Sequence, residues 1–156
     1  MKGNPRVVAH LQRLLNAELG VAALSLLHAR IYEDRGFPRL SAHADAVVGD
    51  AREALDRVLR RMLFLGAKPD MNQREPIAVA SAIRDMLRND LNGQYRLAEC
   101  LRGALGCCHD EKDFQTAALL QSLLATVEER HAYWLEQQLG LLETVGEAAY
   151  LAAQMG

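Results

Sequence analysis

The segment LATVEERHAYWLEQQ, Leu124–Gln138, decides how the chain is read. Leu124, Val127, Trp134 and Leu135 recur at helical spacing, and Glu128 and His131 interrupt that apolar stripe three residues apart. On a helix, positions i and i+3 lie one turn apart on the same face. A Glu-x-x-His pair on a buried face is half of a dimetal carboxylate site, so the rest of the chain should hold the other half.

Working outward, the same periodicity predicts four long helices. They run over about 5–35, 39–65, 80–110 and 113–142, with a short fifth helix over 145–154. Four prolines punctuate the pattern: Pro5 suits a first helical turn, Pro38 separates the first two helices, and Pro69 and Pro76 lie in a longer break. Short connections make each consecutive pair an antiparallel hairpin, and the break before the third helix allows a crossover along the bundle. The expected fold is all-α, a ferritin-like four-helix bundle with a long crossover between the second and third helices and a short C-terminal fifth helix. The 156 residues suit one domain spanning 1–156.

Composition removes several classes. The net charge of −2, with both signs interleaved, gives no basic field for nucleic acid. The N-terminus reaches charged residues too early for a secretory leader, and apolar runs such as VAALSLL are too short for a membrane span. A cytoplasmic protein with no nucleic-acid or membrane partner is expected. Cys100, Cys107 and Cys108 are an odd set. Cys100 and Cys107 stand about 10.5 Å apart along a helix, too far for a disulfide, so reduced thiols are expected.

Four polar residues fall on apolar stripes: Glu18, Gln94, Glu128 and His131. A buried carboxylate is costly unless paired, hydrogen-bonded or metal-bound. Di-iron bundles take one Glu from each of two helices and a Glu-x-x-His from each of the other two. Here the second helix offers Ala51 and Ala54 at its inward positions, and the third offers Gln94. Three of six ligand positions therefore carry a ligand: Glu18, Glu128 and His131.

The chain resembles bacterioferritins over nearly its full length. The resemblance lies in the opening MKG, LNAEL (15–19), LHAR (27–30), RVLRRMLFL (57–65), DMLRNDL (85–91), ERHAYWLEQQL (129–139) and YLAAQM (150–155). It implies a subunit of a hollow 24-mer cage that oxidises Fe(II) and stores ferric mineral, with haem held between subunits by a Met from each. It also implies departures. Di-iron ligand positions read Ala51, Ala54 and Gln94, and the haem-Met position reads Arg52. Ser25 and Val58 replace aromatic residues near the site. The inner-surface His and Asp read Ala46 and Asp50. One residue is inserted between Phe114 and Val127, so the placing of Glu128 and His131 rests on the His131-x-x-Trp134 anchor. Arginine has no lone pair to offer iron, so haem in a homodimer is not expected.

Glu18, Glu128 and His131 could form a weak mononuclear metal site. Alternatively they form a leftover polar cluster, with a protonated His131 paired to Glu128 or Glu18 and Gln94 bonded to the other carboxylate. His10 and His43 are read as surface or lumen-facing, and His28 as structural. Three functional readings follow. The chain is a shell subunit of an iron-storage cage with a degenerate ferroxidase centre, co-assembling with an active bacterioferritin subunit. Or it is a weakened ferroxidase. Or the emptied cavity binds another ligand.

Overall fold

The structure is a computed structural model describing all 156 residues. Helix α1 spans Pro5–Asp34, α2 Pro38–Phe64, α3 Ile83–Asp110, α4 Phe114–Ala125, α5 Tyr133–Val145 and α6 Glu147–Gln154. Between α4 and α5, Thr126–Ala132 forms a π-helical turn, so 114–145 is one continuous helical rod with a wider segment in its middle. The four-helix bundle, its crossover and the short terminal helix are as expected. The third helix starts at Ile83 rather than near residue 80.

Local chemistry sets the boundaries. The Asn4 side chain caps α1 by accepting from the Arg6 and Val7 amides, and Pro5 occupies the first turn, where its missing N–H costs nothing. At the end of α1, Gly36 takes φ +84°, a left-handed conformation open to glycine, and the Phe37 amide donates to the Tyr32 carbonyl at 2.9 Å. Asp113 caps α4 through the Thr116 amide at 3.0 Å, and Arg61 from α2 donates to the Thr116 hydroxyl at 2.9 Å.

The crossover, residues 65–82, is strapped along α1. The Asp70 amide donates to Gln12 Oε1 and the Gln12 amide nitrogen donates to the Asp70 carbonyl, both at 2.9 Å. The Glu75 amide donates to the Asn16 carbonyl at 3.1 Å. Gly20 lets this strand approach: a Cβ there would sit 3.1 Å from the Glu75 carbonyl oxygen.

The apolar core is in two parts. One cluster, including Leu11, Leu14, Val58, Met62, Leu101 and Leu120, fills one end of the bundle. A second, including Tyr32, Leu40, Met86, Leu87, Leu135 and Leu142, fills the other. Between them each long helix contributes polar side chains, among them Glu18 and His28 from α1, Asp50 from α2, Gln94 from α3 and His131 from the π turn. One 18-residue window of α1 is apolar enough by composition for a membrane span, but more than half of it is buried in the bundle. The three cysteines are free. Burial pushes the Cys100 and Cys108 thiols up to about 11, which keeps them protonated and poorly reactive.

Leu101 is fully buried in the larger cluster. Leu101→Ala should lower unfolding free energy by about 2–5 kcal/mol in denaturant titration.

Candidate metal centre and the polar belt

At the level of the polar belt a cavity of about 130 Å³ opens between the helices. Glu18, Asp50, Gln94 and His131 face it, and so do Ala51, Ala54, Thr126 and Val127. Glu18, Gln94 and His131 are thus brought together as expected, and each is only 3% exposed. Glu128 is not among them. It turns out of the bundle and pairs with Arg102 at the surface.

The π turn explains this. An i→i+5 hydrogen-bond pattern takes more residues per turn than an α-helix. Residues three apart then no longer stack, and four apart stack better. Accordingly Val127, four before His131, occupies the wall of the cavity, while Glu128 is carried round toward solvent. A one-residue insertion is what a wider turn absorbs, since the stripes of α4 and α5 both continue to face the core. The expected Glu128–His131 face is therefore corrected.

His131 finds a different partner. Its Nε2 lies 2.6 Å from Asp50 Oδ2, and its Nδ1 lies 3.3 Å from His43 Nε2. Arg130 adds a longer contact to Asp50 at 3.4 Å. The expectation of a protonated His131 paired with Glu18 or Glu128 is also corrected. Burial lowers its pKa, outweighing the pull of the Asp50 carboxylate, so the imidazole is neutral near pH 7. Burial first, then His131 and Arg130, bring His43 down to about 4. The 2.6 Å contact places the His131 proton on Nε2, donated to Asp50, which leaves Nδ1 as a lone pair facing His43.

Glu18 has no charged partner. Burial and the Asp50 charge raise its pKa to about 8, so it is a neutral carboxylic acid at pH 7. Gln94 Oε1 has no hydrogen-bond partner, and the expected bond from the Gln94 amide nitrogen to a leftover carboxylate is not formed either. Elsewhere in the belt, His28 is fully buried and its Nδ1 meets Asp90 Oδ1 at 2.7 Å, in keeping with a structural role. His10 sits beside Gly103, away from the belt, and Arg52 is exposed on α2. No three His, Cys, Asp or Glu side chains converge on a point where they could hold a metal ion. Of the ligands the cavity does offer, Glu18, Asp50 and His131, Glu18 would bind a cation only after giving up its proton.

Two expectations are corrected: Asp50, expected on the inner surface, and His43, expected to face the surface or lumen, both bond to His131 in the belt. Asp50 and His43 lie seven apart on α2, on one face, and that spacing was the available signal.

With this geometry in place, comparison with known proteins is direct. The ferritin-like domain matches residues 8–145. The chain is 40% identical over 155 residues to the bacterial ferritin of Synechocystis sp., covering 99% of each chain. It is 36% identical to the bacterial ferritin of Pseudomonas aeruginosa, over 99% of this chain and all of the relative. It is 29% identical to the bacterioferritin of Mycobacterium tuberculosis, over 97% and 95%. The chain belongs to the ferritin family. Within it, this member carries an acid, an amide and a His–Asp pair around the central cavity.

Glu18 supplies a pH test. Its folded pKa lies above the unfolded value near 4.5, so the stabilising protonated form is lost as pH rises from about 4.5 through about 8. Glu18→Gln should raise the melting temperature relative to the parent at pH 8.5 and leave it nearly unchanged at pH 4. An equal shift at both values would show that Glu18 is not held neutral.

Proposed function

We propose that the chain is a shell subunit of a bacterioferritin-type iron-storage cage that has lost its own ferroxidase chemistry and assembles into a 24-mer with an active subunit. The observation that carries this reading is the wall of the central cavity. Oxidation of two Fe(II) ions by dioxygen needs two metals bridged and charge-balanced by carboxylates. By the family resemblance, ligands would come from residues 18, 51, 54, 94, 128 and 131. Of these, Ala51 and Ala54 have no donor atoms, Gln94 carries no charge, Glu128 faces Arg102, and Glu18 is protonated. That leaves too little negative charge for two dications. Iron enters this reading as cargo of the assembled shell.

Assembly is supported by surface that the monomer leaves uncovered. Leu26 and Leu27 on α1 and Leu63 and Phe64 on α2 are exposed, the pattern of a chain that packs against others. Arg52, at the family's haem-Met position, makes no ion pair. Two guanidiniums brought together at a homodimer interface would repel, and neither could ligate haem iron, so a partner subunit with a different residue there is favoured.

The test is to add about two Fe(II) per chain to the metal-free protein near neutral pH and follow oxidation by stopped-flow absorbance. The native chain should match a protein-free blank. An armed variant, Ala51→Glu, Ala54→His and Gln94→Glu with Ala125 deleted to return Glu128 to the cavity, should show a fast phase. A fast, saturable phase from the native chain would refute the loss of ferroxidase activity. Native mass spectrometry after co-expression with a bacterioferritin carrying all six ligands should show mixed shells, and only unmixed shells would refute the structural role.

A further inference from the structure

The second histidine of the belt points to a metal site that shares only His131 with the family's dimetal positions. His43 is not part of the central cavity wall. It lies on the far side of the His131 ring and lines a groove of about 420 Å³ with Arg39, Trp134 and Gln138. The two rings face each other through His43 Nε2 and His131 Nδ1 at 3.3 Å. A tetrahedral metal bound to two imidazole nitrogens at about 2.0–2.1 Å holds those nitrogens about 3.3–3.4 Å apart. The separation already present is that of a two-imidazole seat.

Three further features suit the role. Asp50 accepts the hydrogen bond from His131 Nε2–H at 2.6 Å, which fixes the ring and leaves Nδ1 as the unprotonated nitrogen, turned to His43 Nε2, whose proton an incoming metal would replace. This carboxylate–histidine arrangement orients and strengthens imidazole ligands in metal sites. Trp134 packs against His43, with ring centroids 3.7 Å apart, and fixes the second ring. The groove brings solvent to the His43 side of the pair. No third carboxylate, thiolate or imidazole joins the pair, so remaining coordination positions fall to water or an incoming small ligand.

We propose that His43 Nε2 and His131 Nδ1 bind one late first-row transition-metal dication, such as Cu²⁺ or Zn²⁺, with Asp50 as the outer carboxylate. Imidazole nitrogens suit these ions, and copper stands highest among the divalent ions in affinity for such donors. The site does not depend on the chain joining a cage, and of the ferroxidase positions it uses His131 alone.

Trp134 is the only tryptophan in the chain, so it reports on this site alone. Titration of the metal-free full chain with Cu²⁺ should quench its fluorescence along a saturable curve ending near one equivalent. Zn²⁺ in excess should restore the signal. His43→Ala should move the midpoint to about tenfold higher copper or beyond, and Asp50→Asn should weaken binding by about 10–100-fold. His109→Ala, which alters an exposed histidine elsewhere, should titrate as the parent does. Should alanine disturb the packing on Trp134, His43→Gln keeps a polar side chain there and should give the same loss. The site is overturned if the parent shows no saturable quench near one equivalent, or if both His43 variants titrate like the parent.

Discussion

A helix that serves two cores must hold its register across the gap between them. The rod from Phe114 to Val145 presents Leu120 and Leu124 to one apolar cluster and Leu135 and Leu142 to the other. An extra residue in a plain α-helix would rotate everything beyond it by about 100° and expose one of those stripes. The π turn at Thr126–Ala132 shifts the register locally, which is how the extra residue implied by the family resemblance would be absorbed. Packing at both ends is kept, and the cost falls on the side chains inside the turn. The outward swing of Glu128 and the arrival of Val127 in the cavity wall are both consequences of that single constraint.

The belt between the cores then has to satisfy its polar groups without metal-bridging carboxylates. It does so only in part, leaving Gln94 Oε1 and His28 Nε2 without a partner, and three features shape the result. Glu18 stays protonated, so no bare charge is buried. His131 stays neutral and donates to Asp50, which keeps a path to solvent at the edge of the belt. Ala51 and Ala54 leave space rather than ligands. Each choice lowers the affinity of the central cavity for a pair of dications. Together they leave the imidazole pair at its margin as the best donors present.

Much of this was legible in the residues. Proline and glycine placement gave the hairpins and the crossover, and polar residues on apolar stripes gave Glu18, Gln94 and His131 as inward-facing. The inward positions of Ala51 and Ala54 were legible in the same way, and both line the cavity. The position of Glu128 was not legible. An insertion can be absorbed in a loop, at a helix end or within a helix, and only packing at both ends selects the last. Asp50 was expected on the inner surface and His43 at the surface or lumen because their face of α2 is half-buried, where neither helical periodicity nor charge separates a belt residue from a solvated one. The protonation of His131 followed the same pattern, since the choice between burial and an anionic neighbour needs distances.

The crossover divides the chain into two helical hairpins, and the polar contacts divide with it. Asp50 and His43 belong to the first hairpin and His131 to the second. His28 and Asp90 are split the same way, as are Arg61 and Asp113, and Asn4 and Arg6 against Glu111. Residues 68–82 contribute little to either core. The molecule is in this sense an intramolecular complex of two complementary hairpins. Apolar faces supply the adhesion, and a row of histidine, carboxylate and arginine partners sets the axial alignment in which they meet.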